Sequence, residues 1–114
     1  MLNIDLEYKK GVLFMRLNGT LDRHTSFILD DSINKIICKA GIRFLLINFE
    51  NLSKIDDFGI NTILNIYNKY FRYGGKLMIC GYNNIILEKN YFSNLLACAS
   101  LLKNESSAFN LINI

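Results

Sequence analysis

Apolar and polar residues alternate at the start of the chain. In "NIDLEYKKGVLFMRLNG", Ile4, Leu6 and Tyr8 alternate along one run, while Val12, Phe14 and Arg16 fall opposite Leu13, Met15 and Leu17 along the next. A period of two on both sides of Lys9-Lys10-Gly11 predicts a β-hairpin, with Gly11 able to take the left-handed conformation of a tight turn. The period then lengthens. In "TSFILDDSINKIICKAG", Phe27, Ile28, Ile33, Ile36 and Ile37 recur at roughly helical spacing and Gly41 supplies a stop. "IRFLLINFENL" is almost unbroken apolar sequence of strand length, the pattern of a strand covered on both faces and therefore central in its sheet. Ile60, Ile63, Leu64, Tyr67 and Phe71 predict an amphipathic helix that ends at Gly74-Gly75, and "KLMICG" predicts another strand. Beyond Tyr82, "NIILEKNYFSNLLA" reads as a helix with a break near Asn90. A short strand around Ser100 to Leu102 and a last helix in "NESSAFNLI", with Asn104 or Glu105 at its start, complete the pattern. The order is that of an α/β fold with a mixed sheet. Strands after the hairpin should be mostly parallel, because crossover connections are right-handed and put helices against the sheet.

Composition narrows this picture. With 114 residues, 51% of them hydrophobic and 20% charged, the chain is expected to form one domain, 1–114, around a single core. No apolar run approaches the roughly 20 residues of a membrane-spanning helix. The N-terminus carries two acids within its first seven residues instead of a basic-then-apolar leader, so a cytoplasmic protein is expected. Cys38, Cys80 and Cys98 are widely spaced among apolar neighbours, which suits buried free thiols better than a disulfide or zinc site. A net charge of +3, spread over scattered basic residues, gives no nucleic-acid-binding patch. No phosphate-loop or dinucleotide motif is present, so neither a cofactor nor a metal is expected.

Two stretches concentrate polar chemistry. "KIDDFG" follows the central strand and opens a helix, the place where α/β sheets usually hold ligands. Asp56 or Asp57 suits a helix cap, accepting free backbone amides at the positive end of the helix dipole. A catalytic carboxylate pair is disfavoured, since adjacent residues at a helix start diverge and no base is placed beside them. Phe58 either packs against Leu52 or Ile55 or stands out as a partner contact. The second stretch, "TLDRHTS", holds Asp22 and Thr25 as candidate caps and His24, the chain's one histidine, as a surface or capping residue.

These motifs carry a resemblance. "LNGTLDRHT", "IRFLLINFENLSKIDDFGINTIL" and "YGGKLMIC" resemble, in order, the first turn, the central strand with its D-S-S-G helix start, and the following strand of the bacterial anti-sigma factor antagonists, which are small STAS-domain proteins. The similarity spans roughly residues 4 to 112. It implies a STAS-type mixed sheet and a non-enzymatic regulator that docks to an anti-sigma factor, a serine kinase of the GHKL type, to control transcription. Asp22 matches the family's acid in the first loop and Asp56 the acid of D-S-S-G. Asp57 falls on the serine that the kinase phosphorylates, Phe58 on the second serine or threonine, Gly59 on the glycine, and Asn61 on a second small residue. The implied partner surface is Asp22, Arg23, His24, Asp56, Asp57, Phe58 and Asn61, with the phosphorylatable serine replaced by Asp57. Ser53 and Thr62 flank the position without being evident substitutes. The alternative is a structural STAS subunit of a larger assembly, such as a stress-signalling complex or lipid-transport machinery.

Overall fold

The computed structural model describes residues 1–38, 42–82 and 99–112. Strand β1 (Leu2–Lys9) turns back into β2 (Val12–Leu21), and helix α1 (Ser26–Cys38) leads to β3 (Phe44–Ile55). Helix α2 (Asp57–Arg72), β4 (Lys76–Cys80), β5 (Ser100–Leu101) and helix α3 (Ser107–Ile112) follow. The five strands lie in sequence order, β1-β2-β3-β4-β5. β1 and β2 are antiparallel, and β2, β3, β4 and β5 are mutually parallel. The expected helix in "NIILEKNYFSNLLA" and the stop at Gly41 lie outside the described residues.

The hairpin forms as its sequence predicts, with Lys10 at φ 51 and Gly11 at φ 86 making the turn. Positive φ at both central positions matches the strand twist of a two-residue hairpin. In β2, alternation divides the side chains between two cores: Leu13, Met15 and Leu17 join the larger cluster, and Val12 and Phe14 the smaller one. The larger core is closed by Leu29 and Ile33 of α1 and Ile60, Ile63, Ile66 and Tyr70 of α2. On the opposite face Ala108 of α3 is buried against Val12, Phe14, Leu46 and Met78. β3 is therefore covered on both sides, and Leu45, Leu46, Ile47 and Phe49 have no exposed surface.

Several side chains fall elsewhere than the periodicity suggests. Phe71 is 69% exposed and Tyr67 only partly buried, while Ile66 and Tyr70 fill the core instead. The buried stripe of α2 runs through residues 60, 63, 66 and 70, which keeps the 3.6-residue helical period, and Phe71 lies off it. Phe27 is likewise 67% exposed, because Leu29 and Ile33 carry the inward face of α1. Leu6 and Tyr8 are exposed on β1, the edge strand, toward the end of the hairpin where little packs on them. Cys80 is buried, as expected of a free thiol in the core. The expected last helix begins at Ser107 rather than at Asn104 or Glu105: Asn104 precedes it, accepting hydrogen bonds from the backbone amide and hydroxyl of Ser107.

Candidate functional site

Parallel strands bring their C-terminal ends to one edge of the sheet. The pairing of Leu21 with Ile55 there sets the β2–α1 loop beside the β3–α2 loop. Asp56 ties them together. It is the N-cap of α2, and its Oδ1 accepts the Gly59 amide at 2.8 Å. Its Oδ2 accepts the Arg23 amide at 3.3 Å from the neighbouring loop, while its own amide donates to the Leu21 carbonyl at 3.2 Å. The sequence leaves the cap open between Asp56 and Asp57, and a cap at Asp57 would start the helix at Phe58. The helix starts one residue earlier, at Asp57, and Asp56 takes the cap because its extended backbone (φ −107, ψ 179) aims the carboxylate at the third helical amide.

Gly59 makes this junction possible. A Cβ on it would lie 2.6 Å from the Leu21 carbonyl oxygen and 2.9 Å from Leu21 Cγ, so the first turn of α2 presses directly on the end of β2. Consequently the two residues between cap and glycine cannot turn inward. Asp57 is exposed, and Phe58 is 57% exposed, which resolves its two readings in favour of standing out. Asn61 is exposed one turn further on.

The first loop is held by Asp22. Its Oδ1 accepts the amides of His24 (2.8 Å) and Thr25 (3.1 Å) and the Thr25 hydroxyl at 3.3 Å. Desolvation raises the carboxyl's pKa, but these hydrogen bonds outweigh it and hold Asp22 below the usual carboxylate range. Buried Thr25 donates its hydroxyl to the Thr20 carbonyl at 2.8 Å and accepts the Asp22 amide at 2.9 Å, locking the turn from beneath. Arg23 and His24 are left exposed at the tip. All seven residues singled out in the sequence thus lie on or beside two adjoining loops at one end of the sheet. Two of them, Asp22 and Asp56, spend their carboxylates on backbone amides. Both carboxylate oxygens of Asp56 are used in this way, which leaves no arrangement suited to a proton-transferring pair with Asp57.

Ser53 is exposed and donates to the Gly19 carbonyl at 2.8 Å, and Thr62 is buried and donates to the Phe58 carbonyl at 3.0 Å. Phe27, in the first turn of α1, was missed as a surface residue. The i, i+4 spacing of Leu29 and Ile33 is the signal that would have put it outside.

A second polar group, also not foreseen, lies across the sheet. Arg16 forms a two-pronged pair with Glu105, with both bonds at 2.8 Å, and also reaches Asp5 (3.0 Å) and Glu7 (2.8 Å). Asn48 donates to Glu105 at 2.8 Å and accepts the Glu50 amide at 2.8 Å. The hydrogen bonds from Arg16 hold the Glu105 carboxyl below its ordinary pKa, against an opposing effect of burial. Arg16, Glu105, Glu7, Asn48 and Glu50 edge a hollow of about 820 Å³ that also borders Cys80 and Phe109. Burial, with help from Glu105 and Glu50, pushes the Cys80 thiol up to about 12, so it stays protonated and is a poor nucleophile. Among the described residues no group of three or more His, Cys, Asp or Glu could hold a metal ion, and no helix is long and apolar enough to cross a membrane.

The STAS domain family model matches residues 3–108. The chain belongs to the STAS domain family. An anti-sigma F factor antagonist from Paenibacillus polymyxa is 29% identical over 107 residues, spanning 94% of this chain and 92% of that one. The crystal structure of an anti-sigma factor antagonist from Mycobacterium paratuberculosis superposes with a TM-score of 0.86 at 15% identity, covering 100% of this chain and 96% of that one. The Bacillus cell fate determinant SpoIIAA, solved in its phosphorylated form, gives a TM-score of 0.74 at 21% identity over 96% of this chain and 99% of that one. At such identities the structural likeness shows the STAS fold: an antiparallel hairpin, then parallel strands with packed helices. This STAS chain is thus similar, over nearly its whole length, to proteins named as anti-sigma factor antagonists.

Proposed function

We propose that this STAS protein docks to an anti-sigma factor, a serine kinase of the GHKL type, through the paired loops, and that it controls transcription without a phosphorylation switch. The observation that carries the reading is the placement of Asp57, exposed in the first turn of α2 between a capped Asp56 and a packed Gly59. By resemblance this is where a regulated member of the family carries its phosphorylatable serine. Aspartate has no hydroxyl to receive phosphate. It supplies one negative charge at the positive end of α2, where a phosphoserine would supply about 1.5 to 2. Arg23, His24, Phe58 and Asn61 would contact the partner, and Asp22 and Asp56 would hold the loops that present them. The relative named as an anti-sigma F factor antagonist and the neighbour solved in phosphorylated form support the reading for their own chains.

The test is a calorimetric titration of wild type, and of the Asp57→Ser/Phe58→Ser double variant, with the anti-sigma kinase of the same genome. Binding by the double variant alone, with phosphate incorporated at the first of its two introduced serines, makes Asp57 a permanent off state and overturns docking by the wild-type chain. Binding by the wild type makes the surface one rebuilt for unswitched docking. If neither binds, the proposal falls. A second reading then stands, that of a structural subunit in a larger assembly. It is favoured by the exposure of Phe58 and Phe27, 57% and 67%, in the first turns of the two helices. In that case Phe58→Ser releases the chain from the complex with which it copurifies.

A further inference from the structure

The end of the sheet opposite the docking loops has a composition of its own. Val12, Phe44 and Lys76 lie on one rung, so the N-terminal ends of β2, β3 and β4 are level with one another and with the hairpin turn. The Lys76 amide donates to the Arg43 carbonyl at 2.7 Å, holding the segment that enters β4 against the one that enters β3. Four exposed cations border this end from separate parts of the chain: Arg43, Arg72, Lys76 and Lys10, whose amine lies over the Phe109 ring at 5.4 Å. Beside them, at the end of α2, Phe71 and Tyr73 are 69% and 72% exposed, with Phe71 stacked on Tyr67 at 6.0 Å.

Most of the described acids are committed elsewhere. Asp5, Glu7 and Glu105 pair with Arg16, and Asp31 pairs with Lys35. Asp22, Asp56 and Asp57 sit at the other end of the sheet, and Glu50 borders the hollow beside Arg16. Asp30 borders a groove with Arg72 and can answer only one of the four cations. Two cations near the C-terminus of α2 have an ordinary explanation in the helix dipole. That explanation does not reach Arg43 or Lys76, nor does it account for two large aromatic rings left in water beside them.

We propose that this end of the molecule docks on an anionic lipid bilayer. Basic side chains concentrate at a negatively charged membrane surface, and phenylalanine and tyrosine rings partition into its interfacial layer, so each class of residue adds a separate attraction. Charge complementarity alone would also suit nucleic acid. Four cations, however, make a short track for a phosphate backbone, and rings at the end of a helix add nothing to duplex binding. Because the basic end lies across the sheet from the paired loops, a membrane-bound molecule would keep those loops facing away from the lipid. The proposal therefore stands independently of the anti-sigma reading.

The experiment is co-sedimentation of the full chain with vesicles of pure phosphatidylcholine and with vesicles containing about 30% phosphatidylglycerol at physiological salt. Wild type should pellet with the anionic vesicles and stay in solution with the neutral ones. Arg72→Gln/Lys76→Gln should weaken partitioning by about 30-fold, and Phe71→Ser/Tyr73→Ser should weaken it while leaving the charge unchanged. Lys54→Gln/Lys103→Gln removes the same charge elsewhere and should pellet nearly as wild type does; circular dichroism checks that each variant is folded. The proposal is overturned if wild type ignores anionic vesicles or if the control pair loses as much as the patch pair. Binding to duplex DNA through Arg72 and Lys76, with no vesicle binding, overturns it as well.

Discussion

The two polar constellations of this molecule use charge in opposite ways. At the paired loops, Asp22 and Asp56 are satisfied by uncharged backbone amides a few residues away or on the adjoining loop, and the charged and aromatic groups around them, Arg23, Asp57 and Phe58, are left exposed. Across the sheet, Arg16 is met by three carboxylates, one of them 89 residues distant in sequence. There the charges pair with one another and fasten the C-terminal segment to β2 and β3. A structure that satisfies its anchoring acids with backbone leaves its side-chain charges free for a partner; one that pairs them internally gains a tether and gives up the surface. On this comparison the loops fit the proposed docking face, and the Arg16 group is scaffold.

The contrast can be broken at the junction on which the loops depend. Gly59→Val brings branched carbon against the Leu21 carbonyl and side chain, which are already too close for a single Cβ. Such overpacking against backbone should destabilise the fold by about 3 kcal/mol, read as a lowered urea midpoint with an unchanged slope. An unaffected midpoint would mean that α2 is free to shift and that the loops are not rigidly presented.

The tether comes next in size. Arg16→Met leaves the part-buried Glu105 carboxylate with Asn48 but without its two-pronged partner, and should cost about 2 kcal/mol. Asp5 and Glu7 contribute little to that figure because one is mostly and the other half exposed to solvent. The pair also has a pH signature. Glu105 has a folded pKa below its ordinary value of 4.5, so its contribution is complete above that value and is lost as pH falls through the folded pKa. Thermal unfolding should therefore lose stability below pH 4.5 more steeply in wild type than in Glu105→Gln. Equal slopes would remove the tether from the account.

How much of each region could be read beforehand follows from the same difference. The loops were legible because their determinants are local: acids directly after an apolar strand, a glycine three residues past the cap, and helical periodicity beyond it. The central position of β3 followed from its unbroken apolar run for the same reason. Arg16 was read only as one alternating position of a strand, since nothing near it announces a carboxylate just before the last helix. Phe71 and Phe27 were placed on inward faces because windowed periodicity admits neighbouring stripes, and only packing against β3 chooses the one through Ile66 and Tyr70. The seven site residues were brought together by the resemblance and by strand order; what they bind is a matter for the titration.

A smaller effect is expected at the cap. Asp56→Ala removes acceptors from the Gly59 and Arg23 amides and should cost about 1 kcal/mol, within the usual range for an N-cap. Its second consequence is more telling, since the Arg23 amide is the direct tie between the loops. Amide exchange at Arg23 should quicken in Asp56→Ala relative to a helix-interior control such as Ile63. If it does not, the loops are held together by the pairing of Leu21 with Ile55 and by the residue-56 backbone amide on the Leu21 carbonyl.

The smallest stability change is expected at Asp57, the residue that carries the proposed function. Asp57 is exposed, and what its carboxylate gives the fold is its favourable position at the positive end of α2, about 0.3 to 0.5 kcal/mol at ordinary salt. Asp57→Ser should lower the urea midpoint by no more than that, and the loss should shrink further at about 1 M salt, where the dipole interaction is screened. Asp56→Ala should keep its full cost at high salt, because it removes hydrogen bonds as well as a charge. A loss above about 1 kcal/mol at Asp57, or one indifferent to salt, would place this side chain in the scaffold beside Asp56. The two adjacent acids would then have one job rather than two, and the division between a held frame and a free face would fail at its central residue.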